Sequence, residues 1–307
     1  MSSGMKRKYL YYSLMLIVCA CTQSGHIIED EVTAVSFNAD RFVAGIFDIP
    51  ETRIAFEGNS ILWTVSDTLG IFPETGSQLY FNTTNPGATS TSFDGGGWSF
   101  KNSSLYFSYF PFIGNFYLDR YHIPVSYVSQ IQNGIDDNDI GECCFMYTDA
   151  TSADSGNLHF QYHQLGCILR VRATLPEGTY TRLAVTAPSD CFVMEGWYNL
   201  LDQSPVIIPA TMGNQLLICL NNITLTSQTQ ITVYLMTAPV NLKGTEVTVS
   251  VLNSEKTEYQ QKKTPSGEYL VGTLNGLTCN DLQAVPQSMG LILVDWEDGG
   301  SISGDGE

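Results

Sequence analysis

The sequence predicts an all-β protein built as sandwiches or barrels, and three observations predict it. Helical periodicity is almost absent along the 307 residues. Short runs rich in Val, Ile, Thr, Tyr and Phe recur throughout. Clusters of Gly, Pro, Asn, Asp and Ser separate these runs at roughly 8- to 15-residue intervals, which is the punctuation of strands joined by turns.

In chain order the predicted strands are Val32–Phe37, Arg53–Phe56, Thr68–Phe72, Leu79–Phe81, Leu105–Phe110 and Leu158–Tyr162. They continue with Ile168–Thr174, Arg182–Thr186, Leu216–Leu220, Gln230–Thr237, Glu246–Leu252 and Tyr269–Leu274. Breaks fall at GSQ, TTNPG, FDGGG, PEG, TPSG and LNG. Asp149–Asn157 (DATSADSGN) is small and polar throughout and reads as an inter-domain linker, dividing the chain into 21–152 and 153–286. Residues 287–307 stand apart. They hold an apolar strand, Met289–Trp296 (MGLILVDW), then an acidic Gly/Ser end, and a strand so placed has no obvious partner in its own domain.

The N-terminal segment, residues 1–20, reads as a lipoprotein signal peptide to be set aside before fold reasoning. Lys6, Arg7 and Lys8 form a positive start, and Tyr9–Ala20 is apolar. That run is about a dozen residues, short of the roughly 20 a membrane-spanning helix needs. It ends in Val18-Cys19-Ala20-Cys21, close to the box of bacterial lipoprotein signals, in which small residues precede the acylated cysteine. Cys21 is therefore the predicted lipidation site. Cys19 is the competing position, but it would leave bulky Val18 at the point of cleavage.

Removing residues 1–20 takes away three cations and no anion, leaving 11 basic against 31 acidic side chains, a net charge of about −20. Such a balance excludes electrostatic nucleic-acid binding, which needs a basic stripe, and suits a self-repelling surface protein. Some 285 residues suffice for two domains with real cores. Cys143, Cys144, Cys167, Cys191, Cys219 and Cys279 remain, and several lie in apolar strand-like runs, so buried free thiols are expected rather than a disulfide framework.

There is no Gly-x-Ser-x-Gly elbow and no cysteine in an electropositive setting. His159 and His163 (HFQYH) fall on a predicted strand, where residues four apart lie about 13 Å from each other, too far for one metal. Asp136, Asp137 and Asp139 lack the EF-hand spacing. The chain is expected to be no enzyme and to need no cofactor or metal.

The order of segments then resembles a known family. VTAVSF, TRIAFEGNSILWTVSDTLGIF, LYFSYFPF, IPVSYVSQIQNG leading to FMYT, LHFQYHQLGCILRV and DWEDGG follow one another as in the fimbrillin-like (Mfa-like) subunits of the type V pili of Gram-negative anaerobes. The resemblance spans about residues 30 to 300, and it is carried chiefly by Trp63…Asp67…Gly70-Ile71-Phe72, Tyr109–Phe112, Gln130-Ile131-Gln132 and Phe160–Leu165. It implies two tandem transthyretin-like β-sandwich domains behind the signal peptide. It also implies a precursor lipidated at the outer membrane and a first strand removed by an arginine-specific protease. The C-terminal strand of the next subunit then fills the vacated groove, by strand addition. The matching residues here are Arg41 or Arg53 for processing, and Leu291, Ile292, Leu293, Val294 and Trp296 for the donor strand. Expected partners are other fimbrial subunits, the outer membrane through the lipid, and a host or bacterial surface ligand. The expected location is a fimbrium on the outer membrane. If neither arginine is cut, the chain is a lipid-anchored base subunit. A different reading is a monomeric surface lipoprotein binding glycans through Tyr106, Tyr109, Tyr117, Tyr121 and Tyr127, provided those rings share a solvent face.

Overall fold

The computed structural model describes residues 41–46, 63–64, 67–84, 89–95, 103–114, 118–135, 143–152 and 158–285, and of 41–46 the backbone alone. Every named element among them is a β-strand, and the strands form four sheets. Seven strands join edge to edge into a closed ring: β1 (Arg41–Ile46), β4 (Ser90–Asp94), β3 (Leu79–Thr83), β2 (Thr68–Pro73), β5 (Tyr106–Phe110), β8 (Met146–Thr148) and β9 (His159–Gln164). A small sheet orders β13 (Ile208–Gly213), β12 (Phe192–Tyr198) and β6 (Ile123–Ser126). The remaining two sheets form a sandwich. One holds β15 (Thr229–Thr237), β10 (Cys167–Leu175) and β18 (Leu274–Cys279). The other holds β19 (Gln283–Val285), β17 (Glu258–Lys263), β16 (Val247–Asn253), β11 (Gly178–Thr186), β14 (Gln215–Leu225) and β7 (Gln130–Asn133). The all-β fold class is thus the one the turn spacing and residue types predict.

Two hydrophobic cores hold these sheets. In the ring, Trp63 stands edge-on to Phe93, Phe110 and Tyr162 at 5.1, 5.4 and 5.4 Å between centroids, a favoured aromatic geometry. Ile71 and Phe72 are buried with it, as expected of core anchors. Both faces of β2 are covered, because Ile123, Val125, Tyr198 and Leu200 of the small-sheet region join the same core. The second core follows the period of 2 that a half-buried strand imposes. Leu169, Val171, Ala173 and Leu175 of β10 lie with Ile231, Val233 and Leu235 of β15 against Val247, Val249 and Val251 of the facing sheet. β6 and β7 reach from early in the chain to pair with β12 and β14.

Several expectations need correction. Tyr269–Leu274 is not a strand: Tyr269 makes an isolated bridge to Val240, the chain turns through Gly272 at φ +69°, and β18 starts only at Leu274. Leu270 and Val271 are exposed, so an apolar run there marks a turn. The six cysteines after the signal segment are free, yet Cys219 is exposed, on the outward side of β14. The predicted strands Val32–Phe37, Arg53–Phe56 and Met289–Trp296 lie outside the described residues.

Candidate strand-exchange site

β1 is held by one antiparallel and one parallel neighbour, an arrangement that in the ring only its neighbour β9 shares among the described residues. On one side it runs antiparallel to β4, from Arg41↔Asp94 to Gly45↔Ser90. On the other it runs parallel to β9, from Val43↔His159 to Ile46↔Tyr162, and this is the ring's single parallel pairing among the described residues. A parallel neighbour cannot be reached by a tight hairpin, so β1 occupies its place without a short covalent tie to either wall. Its alternate residues are level with the core: Phe42 pairs with Phe93, Ala44 with Thr91 and Phe160, Ile46 with Tyr162, and all four partners are buried. Taking β1 away would bare two strand edges and the aromatic floor between them.

That floor is hydrogen-bonded and uncharged. The Ser108 hydroxyl meets the Tyr162 hydroxyl and donates to Gly70 O at 3.0 Å, while Ser108 N–H donates to Thr148 Oγ1 at 3.0 Å. Behind it the Tyr109 hydroxyl donates to Gln78 Oε1 at 2.7 Å and accepts Ile113 N–H at 3.2 Å. Burial pushes the Tyr109 hydroxyl up to about 12 despite those bonds, and pushes Tyr162 up also. The thiols of Cys144 and Cys167 are likewise raised by burial, to about 12. These groups stay neutral at ordinary pH, so they offer packing and hydrogen bonds and no acid–base chemistry.

Of the residues singled out in the sequence, Arg41 is the first residue of β1. Cys21, Arg53, Leu291, Ile292, Leu293, Val294 and Trp296 lie outside the described residues. His159 and His163 sit on β9 as expected of strand residues; His163 Nε2 is 3.5 Å from Asp149 Oδ2 and its ring lies 5.3 Å from that of Tyr147. The proposed solvent face of tyrosines is overturned: Tyr106, Tyr109 and Tyr127 are core residues, Tyr121 is exposed, and Tyr117 lies outside the described residues. Sequence reasoning missed β1 itself, because RFVAGI carries Ala and Gly where a strong strand signal needs bulk.

No protein-family model matches the chain, and no curated protein sequence does. Solved structures do. A candidate cell adhesion protein from Bacteroides ovatus matches with a TM-score of 0.51 at 10% identity, over 82% of this chain and 97% of that one. A candidate cell adhesion protein from Bacteroides fragilis matches at 0.39 and 11% identity, over 83% and 100%. The tip fimbrial protein Mfa3 of Porphyromonas gingivalis, with a C-terminal truncation, matches at 0.31 and 10% identity, over 75% and 86%. The first of these likenesses is one of fold: the chain has the all-β architecture of that adhesion-class protein.

Proposed function

We propose that this chain is a structural or adhesive subunit of a cell-surface fimbria, exported as a lipoprotein on Cys21 and polymerised by strand insertion. The observation that carries the reading is β1, a strand clamped between β4 and β9 with an apolar floor beneath it. In the precursor β1 plugs its own slot. Proteolysis followed by loss of β1 opens it, and the C-terminal segment of another copy supplies the replacement. In that segment Ile292, Val294 and Trp296 alternate with Leu291, Leu293 and Asp295, an apolar set to match alternate residues Phe42, Ala44 and Ile46. Two hydrophobic cores support a two-domain reading, and the first of them takes Leu158, Phe160 and Tyr162 from beyond residue 152.

The two candidate arginines have different consequences. A cut after Arg41 leaves nearly all of β1 attached to the body, whereas a cut after Arg53 separates β1 from it. Arg53 is therefore the site that opens the slot, and Arg41 the site that only shortens the leader.

N-terminal sequencing of the protein taken from the cell surface tests this. A start just after Arg53 is expected of a polymerising subunit. A start after Arg41 means that β1 stays and strand exchange at this slot is wrong. A blocked, acylated start at Cys21 makes the chain the anchored base of the fimbria or a monomeric lipoprotein.

A further inference from the structure

β15 is the exposed liability of the second sandwich. It is 9 residues long, and among the described residues its backbone pairs with β10 alone. Its sequence, TQITVYLMT, is apolar and β-branched, and a long open edge of that kind is a template for another chain. The edge is nevertheless occupied, by side chains. Gln130 Oε1 accepts Met236 N–H at 2.7 Å, and Gln130 Nε2 donates to Met236 O at 2.9 Å. Two residues on, Gln132 Oε1 accepts Tyr234 N–H at 3.4 Å and Gln132 Nε2 donates to Thr232 O at 2.9 Å.

A carboxamide carries the same C=O and N–H as a peptide group. Residues two apart on a strand share a face and repeat at about 6.6 Å, which is also the repeat of outward-facing backbone groups along β15. Gln-x-Gln on β7 thus does for residues 232–236 what a neighbouring strand's backbone would do. The second amide hydrogens are used as well: Gln130 Nε2 also donates to Tyr127 O at 3.0 Å and Gln132 Nε2 to Gly134 O at 3.2 Å. Both side chains are buried, at 6% and 3% exposure, so nothing is left over for solvent. The backbone of β7 meanwhile belongs to the facing sheet through β14, so the two glutamines stitch one sheet to the other. On this side of the sandwich the edge that remains is β7 itself, only 4 residues long and a poor template.

We infer that Gln130 and Gln132 are specificity residues of assembly, denying the long β15 edge to an incoming strand and so favouring entry between β4 and β9. The purpose rests on the assembly reading above; the seal itself does not.

The test uses the full precursor, in which β1 still fills its slot. Gln130→Leu/Gln132→Leu keeps side-chain size and removes four bonds to β15. Hydrogen–deuterium exchange should quicken at least tenfold at the Tyr234 and Met236 amides, with Val233 and Leu235 unchanged because their amides serve β10. On a sizing column the double variant should self-associate while the unmodified precursor stays monomeric. Gln132→Asn, one methylene shorter, is the gentler variant and should free Tyr234 but not Met236. Unchanged exchange at both positions overturns the seal. Faster exchange in a precursor that stays monomeric overturns the gatekeeping role. Failure of the processed, unmodified protein to polymerise counts against the strand-exchange reading alone, since the precursor measurements do not involve it.

Discussion

Gly70 lies under the ring of Tyr109, and a Cβ there would sit 2.1 Å from Tyr109 Cε1. Gly70→Ala therefore forces the ring and its bonds to Gln78 and Ile113 aside, at a cost of about 1–3 kcal/mol. Denaturation midpoints should show that loss. In a Tyr109→Ala background the same change should cost far less, because the clash has gone. The buried tyrosines also predict an alkaline limit. Tyr109 and Tyr269 are both raised by burial from the ordinary 10 to about 12. Between those values the unfolded chain sheds protons that the native state keeps, so stability is full below pH 10 and falls as pH rises toward 12. Urea midpoints across pH 9 to 12 check this, and Tyr109→Phe should flatten the slope. The thiols divide in the same way. Cys219 is exposed, whereas Cys144 and Cys167 are buried and raised to about 12 and Cys279 to about 11. At pH 8 a thiol reagent should label Cys219 quickly, partly exposed Cys191 slowly, and the buried thiols only after denaturation.

At the scale of elements, the decisive test is to fasten β1 in place. Val43 and Ser92 are direct partners across β1 and β4, and antiparallel partners lie at Cα separations of about 4.5–5.5 Å, within disulfide reach. Val43→Cys/Ser92→Cys should give a precursor that is cut by protease but does not polymerise until a reductant is added. Polymerisation of the oxidised form would place the exchange elsewhere. The strands that the sequence made legible are those with an apolar set repeating every second residue, such as β10, β15 and β16, whose burial alternates in the same way. Those it hid lack that contrast. β17 reads EYQQKK, polar on both faces and half-buried except at exposed Lys262. β13 carries Pro209 and Gly213 and is almost wholly exposed at a sheet edge, where proline is tolerated. β12 holds Glu195 and Gly196 in mid-strand with two register shifts. The Gln130-Ile131-Gln132 motif was visible, but its role was not, because side-chain amides that pair with a strand edge leave no hydrophobic signature.

For the whole molecule, the described residues of both cores fall within 63–285. Deleting 287–307 should therefore leave the unfolding transition in place while abolishing polymerisation; fibres formed by the truncated protein would refute the C-terminal donor. Charge sets the conditions. With 31 acidic and 14 basic side chains, copies repel one another, and the Debye length falls from about 30 Å at 0.01 M salt to about 8 Å at 0.15 M. Light scattering should show polymerisation quickening over that range, and an unchanged rate would mean that repulsion is not limiting. The two-sided seat of β1 has a mechanical consequence. Under the assembly proposed above, a segment gripped by β4 and β9 along its length would be loaded in shear when a fibre is stretched, so its backbone bonds on both flanks would resist together and would not be peeled one by one. Subunits joined in that way would come apart under tension at a rate set by a collective rupture, without any covalent link between copies.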